Sequence, residues 1–437
     1  MEGMFNEVFT ILTFFWIISS ESVLYLFFRD YTSYIKRLTL QLASVNILYV
    51  KLFQAIASNN NLIDEKTNIE LLKFTDNAPW CFNDIQIDQL IEIEDKYDLR
   101  IQNGYDKPIN SGMISLVFKA YRRSDGFPVI IKMKRKNIER KLNNSIENLK
   151  TLLYFLSFIP ILYKYQIKNL IEKNIEIIKH QTNFNEEVEN IVKMKTNCKN
   201  LKYVKIPEVY PEVTKEFEDF IIMEYINGIK MNEVKEEDYV EFSKQVLKFG
   251  LVSTIVHGVS HGDLHSGNIL FIKDVHDIRY PYKIGVIDFG IIFELDPEYK
   301  TTCFELITNS LKIDPRESII NLLNSNMVEP PNIIQKISPE IYENIIKLGA
   351  GIVRDCINCS KNVDQIHLFD FFCKLKEYLN TDEMSNLGIR PSDNLVKTQF
   401  VLAMAHGVTM TLCKEKFVGL FDTVLNELFH TELIIDD

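Results

Sequence analysis

The chain has 437 residues, 46% of them hydrophobic and 25% charged, which allows two or three globular domains with sizeable cores. Its formal net charge of −11 argues against a nucleic acid partner, because binding to a phosphate backbone requires a clustered basic surface. Seven scattered cysteines, odd in number, favour reduced thiols in a cytoplasmic setting over a disulfide framework.

Residues 1–30 are predicted to form a hydrophobic N-terminal segment, followed by a helical extension over residues 31–100. The run from Val8 to Phe28 is long enough to span a bilayer and carries one charge, Glu21. Basic residues come next: Arg29, Lys36 and Arg37. A spanning helix would therefore anchor the rest of the chain on the cytoplasmic side. A helix packed on the core, or lying in the membrane interface, stays open as the alternative, and the acidic start argues against a secretory signal.

Residues 101–228 are predicted to form the smaller, sheet-containing lobe. A polar loop within it reads Pro-Ile-Asn-Ser-Gly-Met-Ile-Ser over residues 108–115. In kinase-like proteins a loop at this point covers the nucleotide phosphates. This loop has one glycine where a protein kinase has three, and the residues expected to contact the nucleotide are Asn110, Ser111 and Gly112.

An Asp-Gly turn signal predicts a hairpin whose second strand runs into Lys132. A lysine at this position binds nucleotide phosphates in the kinase signature, and it needs a carboxylate partner on the following helix. Glu187 is the candidate partner, with Glu186 and Glu189 as alternatives. The long stretch before that helix has helical periodicity, which predicts a helical insert at about residues 139–180.

The next signal is an apolar strand that breaks into a polar, glycine-ended turn, Phe-Ile-Ile-Met-Glu-Tyr-Ile-Asn-Gly, over residues 220–228. Its position upstream of the catalytic motif indicates the hinge between two lobes, where backbone groups hold the adenine. Glu224 and Tyr225 are the hinge candidates. Beyond it, residues 229–437 are predicted to form a helical C-lobe.

Two motifs in that lobe carry the chemistry: His-Gly-Asp-Leu-His-Ser-Gly-Asn over residues 261–268 and Asp-Phe-Gly over residues 288–290. Asp263 can orient a hydroxyl group and accept its proton. Asn268 and Asp288 supply oxygen ligands of the kind that Mg²⁺ prefers, and the metal would bridge the phosphates of a bound nucleotide. This order and spacing predict a kinase-like phosphotransferase.

The sequence after Asp-Phe-Gly enters a helical pattern almost at once, and no Ala-Pro-Glu segment follows. Protein kinases seat peptide substrates on a long segment at this place. Its absence favours a small-molecule or lipid-like acceptor, or nucleotide hydrolysis.

Over roughly residues 41–323 the chain resembles the UbiB or aarF-domain family of atypical kinases, the ADCK-type proteins. The shared features are the extension, the nucleotide loop, the long insert, the hinge and the catalytic loop. The family's Lys-x-Gly-Gln motif, on a helix that folds over the active site, is matched by Lys51 and Gln54, with phenylalanine in place of the glycine. Its Glu-x-Asp motif is matched by the amides Gln181 and Asn183. The resemblance implies a role beside the nucleotide for Lys51 and Gln54.

Together these features predict an α+β, bilobal protein kinase-like fold with an N-terminal helical extension and a helical insert in the smaller lobe. They predict an atypical kinase or ATPase that uses ATP and Mg²⁺ on a small-molecule or lipid-related target, with a membrane surface as a possible partner. The resemblance implies a link to isoprenoid-quinone biosynthesis. Two alternatives stay open: a phosphotransferase of the aminoglycoside or choline kinase type, and a nucleotide-binding pseudokinase scaffold.

Overall fold

The structure, a computed structural model, describes residues 2–46, 48, 78, 80–156, 179–309, 314–330, 337–358, 374, 378, 379, 381, 384, 386–413, 420, 423, 424 and 427. Lys51 and Gln54 lie outside the described residues, as do residues 157–178 of the expected insert. The chain divides into two compact units. The first comprises Met1–Val188 and Val209–Tyr225, and the second comprises Glu189–Glu208 and Ile226–Asp437.

Helices and short strands follow one another along the chain. The helices are α1 (Glu2–Phe28), α2 (Tyr31–Val45), α3 (Ile87–Lys96), α4 (Ile138–Leu156), α5 (Phe184–Asn197), α6 (Pro211–Glu216), α7 (Tyr239–Leu251), α8 (Pro297–Asn309), α9 (Pro315–Leu323), α10 (Pro339–Asn358) and α11 (Asp393–Cys413). The strands are β1 (Leu99–Ile101), β2 (Asn110–Ser111), β3 (Ser115–Arg122), β4 (Pro128–Lys134), β5 (Val204–Lys205), β6 (Phe220–Glu224), β7 (Val259–His261), β8 (Ile269–Lys273), β9 (Tyr282–Val286), β10 (Ile292–Glu294), β11 (Val328–Glu329) and β12 (Arg390–Pro391).

An antiparallel sheet forms the centre of the first unit, with strand order β1-β3-β4-β6 and with β2 paired to β3. Side chains alternate between the two faces of a strand, and Leu116, Phe118 and Ala120, on one face of β3, are fully buried. These side chains pack with Leu90 and Ile93 of α3. The same alternation places Lys132 of β4 on the opposite face from its apolar neighbours.

The N-terminal helices of the first unit pack together with α4 through a second apolar cluster. Phe14 and Ile17 of α1 meet Leu38 and Leu42 of α2, and Ile146 of α4 completes the contact. Among the described residues, no helix combines the length and apolarity needed to cross a membrane. The helix α1 thus uses part of its apolar surface to pack within the protein.

Glu21, the single charge in the apolar run, is part of this packing. Its side chain is only 2% exposed. Its carboxylate accepts hydrogen bonds from Arg37 Nε at 2.8 Å and from Gln41 Nε2 at 2.5 Å, both on α2. A buried carboxylate is tolerated when it is paired and hydrogen bonded, so Glu21 fixes how α1 lies along α2.

The second unit is largely helical and carries three small sheets. Strands β5, β9 and β8 form one sheet, β7 pairs with β10, and β11 pairs with β12. Helix α7 packs closely on α11, because Gly250 has no side chain: a Cβ atom there would lie 2.7 Å from the Cβ of Ala405. The α+β class predicted from the sequence is confirmed.

Candidate functional site

Lys132 and Glu187 form a buried ion pair in the first unit. The Nζ atom of Lys132 lies 2.6 Å from Oε1 of Glu187, and the two side chains are 11% and 2% exposed. The Nζ atom also lies 5.6 Å from the ring centroid of Phe184, within the range of a cation–π contact. The lysine is therefore held in one orientation by two residues of α5.

The fold distinguishes Glu187 from the two neighbouring acids that the sequence left as alternatives. Glu187 occupies the inward face of α5, beside the buried Val188. Glu186 is exposed enough to approach His180, with 3.3 Å between Oε2 and Nδ1. Glu189 is exposed to solvent. Only one of the three carboxylates therefore has the burial and the contact that a partner of Lys132 requires.

The predicted nucleotide loop is tied down by a buried arginine, Arg135, that the sequence reading did not single out. Its Nη2 atom donates to the carbonyl oxygen of Gly112 at 2.7 Å and to Oγ of Ser111 at 2.8 Å. Its backbone N–H donates to the carbonyl oxygen of Ile114 at 2.8 Å. Ser111 Oγ in turn donates to the carbonyl oxygen of Ala78 at 2.7 Å. The Ser111 hydroxyl thus holds the loop in place, and nucleotide contact by Asn110, Ser111 and Gly112 stays a prediction.

The charge of Arg135 is balanced by Asp84, which is also buried. Asp84 Oδ2 lies 3.3 Å from Nη1 of Arg135, and Oδ1 accepts a hydrogen bond from Lys141 Nζ at 2.7 Å. Burial alone would raise the pKa of Asp84, but the hydrogen bonds from Lys141 and from the Cys81 N–H and the positive charge of Arg135 outweigh it, so the pKa is lowered. Asp84 therefore stays ionised beneath the loop.

The two hinge candidates lie at the end of β6. Glu224 pairs in register with Val129 of β4. The N–H of Tyr225 donates to the carbonyl oxygen of Pro128 at 3.3 Å, and Lys119 Nζ lies 3.7 Å from the centroid of the Tyr225 ring. Both candidates are thus positioned by the sheet, and their contact with an adenine stays a prediction.

The catalytic loop of the second unit is shaped by a glycine and a histidine. Gly262 donates its N–H to the carbonyl oxygen of Ile291 at 2.9 Å, and a Cβ atom at this position would lie 2.4 Å from Cγ2 of Ile291. His261 is buried, and its Nδ1 accepts the N–H of Asp263 at 3.1 Å. Asn268 Nδ2 donates to the carbonyl oxygen of Asp263 at 2.9 Å, which closes the loop. The loop thus presents Asp263, whose side chain is 25% exposed, from a fixed backbone.

Asn268 and Asp288 lie at the same end of the β8–β9 hairpin. Asn268 directly precedes β8, Asp288 follows β9, and Ile269 pairs in register with Val286. The N–H of Ile287 donates to the carbonyl oxygen of Asn268 at 3.2 Å. Because the amide nitrogen of Asn268 donates to the Asp263 carbonyl oxygen, the amide oxygen is the atom of this side chain that could bind a metal ion.

The donor chemistry at this end of the hairpin fits Mg²⁺. An amide oxygen and a carboxylate are hard oxygen ligands, and Mg²⁺ commonly takes one or two such side chains with phosphates and water. Among the described residues, no group of three or more His, Cys, Asp or Glu side chains is placed to hold a metal ion. Phosphate oxygens of a bound nucleotide would complete a site of this kind, and the metal assignment stays a prediction.

The sequence reading also missed Asn190, at the middle of α5. Its Nδ2 atom donates to the carbonyl oxygen of Phe289, the middle residue of Asp-Phe-Gly, at 2.9 Å. A polar residue in a helix with several other polar residues gives no local signal of such a contact. The contact joins positions 99 residues apart, so only the tertiary structure brings it to light.

Comparison with known proteins gives three findings. The sequence pattern of the ABC1 atypical kinase-like domain matches residues 73–322. A Shewanella protein described as "Probable protein kinase UbiB" is 26% identical over 275 residues, which cover 60% of this chain and 49% of that protein. The chain thus spans about half the length of the curated relatives it matches.

Two solved structures are similar in fold at low identity. One is the complex of Rv3197 from Mycobacterium tuberculosis with erythromycin, with a TM-score of 0.47, 16% identity, and coverage of 86% of this chain and 90% of that one. The other is the Rio2 kinase-ADP/Mg²⁺-phosphoaspartate complex from Chaetomium thermophilum, with a TM-score of 0.26, 13% identity, and coverage of 66% and 74%.

Proposed function

The chain belongs to the ABC1 atypical kinase-like family, and we propose that it is a kinase or ATPase that uses ATP and Mg²⁺. The family resemblance and the bilobal kinase-like fold class predicted from the sequence are confirmed by these matches. The chain is thus a kinase-like protein. The proposal concerns which nucleotide, metal and acceptor it uses.

The buried pair of Lys132 and Glu187 carries the nucleotide part of the proposal. A lysine held rigidly by a carboxylate can place its ammonium group against phosphate oxygens without losing further side-chain freedom on binding. Buried ion pairs cost desolvation energy, so retaining one at this strand position favours a binding role over a purely structural one. Lys51 and Gln54 complete the proposed nucleotide contacts by family resemblance alone.

Asp263, Asn268 and Asp288 carry the chemical part. Asn268 and Asp288 would hold Mg²⁺, which neutralises charge on the transferring phosphoryl group when bound. Asp263, fixed by backbone contacts on both sides, would orient the attacking hydroxyl group or water and accept its proton.

The short segment after Asp-Phe-Gly supports an acceptor that is not a peptide. Strand β10 ends at Glu294, and α8 begins at Pro297. The chain therefore provides no long platform at the place where protein kinases seat peptides. A small-molecule or lipid-related acceptor, or water, fits this arrangement.

We also propose that α1 lets the protein bind a lipid surface. The face of α1 turned away from the apolar cluster exposes Leu12, Trp16, Val23 and Phe27, and Trp16 and Phe27 are 73% and 79% exposed. Exposed aromatic side chains on α1, together with the exposed basic residues Arg29 and Lys36, suit the interface of an anionic membrane. The described cysteines Cys81, Cys198, Cys303 and Cys413 are free thiols, in keeping with the proposed cytoplasmic location of the kinase body.

Mg²⁺-dependent ATP turnover by the full chain, with and without anionic vesicles, tests the catalytic proposal. Asp288→Asn should abolish turnover, because losing a metal ligand removes several kcal/mol of transition-state stabilisation. Asp296→Asn is the matched control: Asp296 caps α8 by accepting the Glu298 N–H at 2.9 Å, and asparagine caps a helix equally well.

Three outcomes distinguish the candidate functions. Turnover that Asp288→Asn abolishes and Asp296→Asn preserves supports the kinase or ATPase. ATP binding without turnover in the wild-type protein would instead favour the pseudokinase scaffold. Equal turnover by wild type and Asp288→Asn, or no binding of ATP at all, would overturn the assignment of these residues.

A further inference from the structure

Helix α5 contributes to both groups of predicted site residues. Glu187, in its first half, pairs with Lys132 in the first unit. Asn190, three residues later, belongs to the second unit, where its Nδ2 atom donates to the carbonyl oxygen of Phe289 at 2.9 Å. Lys193 then forms an ion pair with Glu294, at the end of the same segment. Helix α5 is thus fastened to Asp-Phe-Gly itself through Asn190 and to the strand that follows it through Lys193.

The contact of Asn190 acts on one particular peptide plane. The carbonyl oxygen of Phe289 and the N–H of Gly290 belong to the same planar, trans peptide group and point in opposite directions. That N–H donates to Oδ1 of Asp288 at 3.0 Å. Holding the Phe289 oxygen therefore fixes the direction of the N–H group that holds the Asp288 carboxylate.

The neighbouring peptide plane is held in the same way. The carbonyl oxygen of Asp288 is hydrogen bonded to Nε2 of the buried His261. The Phe289 ring is fully buried and lies edge-on to the His261 ring, with 5.3 Å between centroids. With both carbonyl oxygens and the intervening side chain held, the backbone around Asp288 is fixed, and the Gly290 N–H helps to hold its carboxylate in one orientation.

We propose that Asn190 is a positioning residue for Asp288, acting through the Phe289–Gly290 peptide to hold the carboxylate ready for Mg²⁺. This rests on the proposed function, in which Asp288 is a metal ligand. In this role Asn190 acts through the peptide group and not by contact with the metal or the nucleotide, so it concerns the Mg²⁺ dependence of the protein and not its affinity for the nucleotide itself.

The test compares Asn190→Ala, Asn190→Asp and Asn190→Ser in the full chain. Two quantities are measured for each: the Mg²⁺ concentration that half-saturates ATP turnover, and the affinity for ATP without divalent metal. Loss of one well-formed hydrogen bond should raise the half-saturating Mg²⁺ concentration about fivefold in Asn190→Ala. Asn190→Asp, which sets a carboxylate against a carbonyl oxygen, should raise it further, and Asn190→Ser, which keeps a donor, less.

Asn197→Ala is the matched control. Asn197 is half-buried at the C-terminal end of α5, and no hydrogen bond of its side chain to a described residue is found. This variant should match the wild type in both measurements. If Asn190→Ala does not fold, the near-isosteric Asn190→Asp and the donor-retaining Asn190→Ser carry the test.

Unchanged Mg²⁺ dependence in all Asn190 variants, with a wild type that requires Mg²⁺, would overturn this inference and leave the proposed function standing. Equal losses in Mg²⁺ dependence and in metal-free ATP affinity would also overturn it, since they would indicate a general loosening of α5 through Glu187. A wild type whose nucleotide binding and turnover ignore Mg²⁺ would remove the proposed function and the inference with it.

Discussion

The imidazole ring of His261 is hydrogen bonded through Nε2 to the backbone carbonyl oxygen of Asp288, 27 residues further along the chain. Its other nitrogen, Nδ1, accepts the backbone N–H of Asp263. An acceptor at Nδ1 carries no proton, so Nε2 is the donor and the ring is neutral. One buried neutral histidine therefore joins the loop of the predicted base to the segment of the predicted metal ligand.

This arrangement predicts that stability falls in mild acid. Burial lowers the pKa of His261 below 6.5, although hydrogen bonding to Asp288 and the nearby carboxylates oppose it, and burial together with Lys300 lowers the pKa of His257. Below about pH 6.5 the unfolded chain binds protons that the folded chain does not, so the free energy of unfolding should decrease from there down to the folded pKa values. Denaturant titrations between pH 8 and pH 5 measure this slope.

Replacing one of these histidines should remove its contribution to the pH dependence of the free energy of unfolding. His261→Gln keeps a donor and an acceptor but does not titrate, and the loss of stability on acidification should be smaller than in the wild type. His276 lies exposed in the β8–β9 turn, so His276→Gln is the matched control. An equal reduction in both variants would contradict the role assigned to His261.

Glu187→Gln should weaken both the fold and nucleotide binding. The substitution removes the charge that balances the buried ammonium group of Lys132, and an unpaired buried charge costs about 3 kcal/mol in the free energy of unfolding. Glu186→Gln, one residue away and paired with His180 on the surface, should change it by less than about 0.5 kcal/mol. Denaturant titration and ATP titration measure the two effects. Similar losses in both variants would show that the partner of Lys132 was wrongly chosen.

Arg135→Met should loosen the nucleotide loop. Methionine fills a similar volume but leaves the Gly112 carbonyl and the Ser111 hydroxyl without the donors they have now, and the buried Asp84 loses one of its cations. We expect a loss of about 3 kcal/mol in the free energy of unfolding, faster amide exchange over residues 110–116, and weaker ATP binding.

The control for this variant is Arg123→Met. Arg123 also belongs to the first unit, but its ion pair with Asp95 lies on the surface. Its replacement should therefore cost little. If amide exchange over residues 110–116 is as slow in Arg135→Met as in Arg123→Met, Arg135 does not hold the loop.

The exposed face of α1 predicts selective binding to anionic vesicles. Wild-type protein should float with vesicles that contain phosphatidylglycerol and much less with phosphatidylcholine alone, because the exposed basic residues Arg29 and Lys36 add electrostatic attraction to the apolar contact of α1. In Trp80→Phe, which leaves Trp16 as the single tryptophan, the tryptophan fluorescence emission should shift to the blue on binding.

The double variant Trp16→Glu/Phe27→Glu should lose vesicle binding, whereas Ile278→Glu, at a 95% exposed site in the second unit, should keep it. Self-association through α1 without any lipid binding would point to a second copy as the partner.

The sequence by itself determined the family, the fold class and the order of the motifs. The spacing of Asp263, Asn268 and Asp288 is local information, since a short loop and one hairpin separate them and few other chemistries need that pattern. Lys132 is likewise marked by its place at the end of a strand after a turn signal. Such signals can be recognised in the sequence alone, because strands and turns depend mainly on residues that are neighbours in the chain.

The tertiary structure decided which polar residues act together. The sequence favoured Glu187 but left two other acids of α5 as alternatives, and only the burial of one face of the helix distinguishes Glu187 from them. In the sequence, Glu21 is an unfavourable charge within an apolar run. The structure shows that its carboxylate is hydrogen bonded to Arg37 and Gln41 of the next helix. Asn190 and Arg135 carry no local signal, because their hydrogen bonds reach residues far away in the chain. Burial and long-range hydrogen bonding depend on how elements pack, and packing is a property of the whole fold and of no single stretch of sequence.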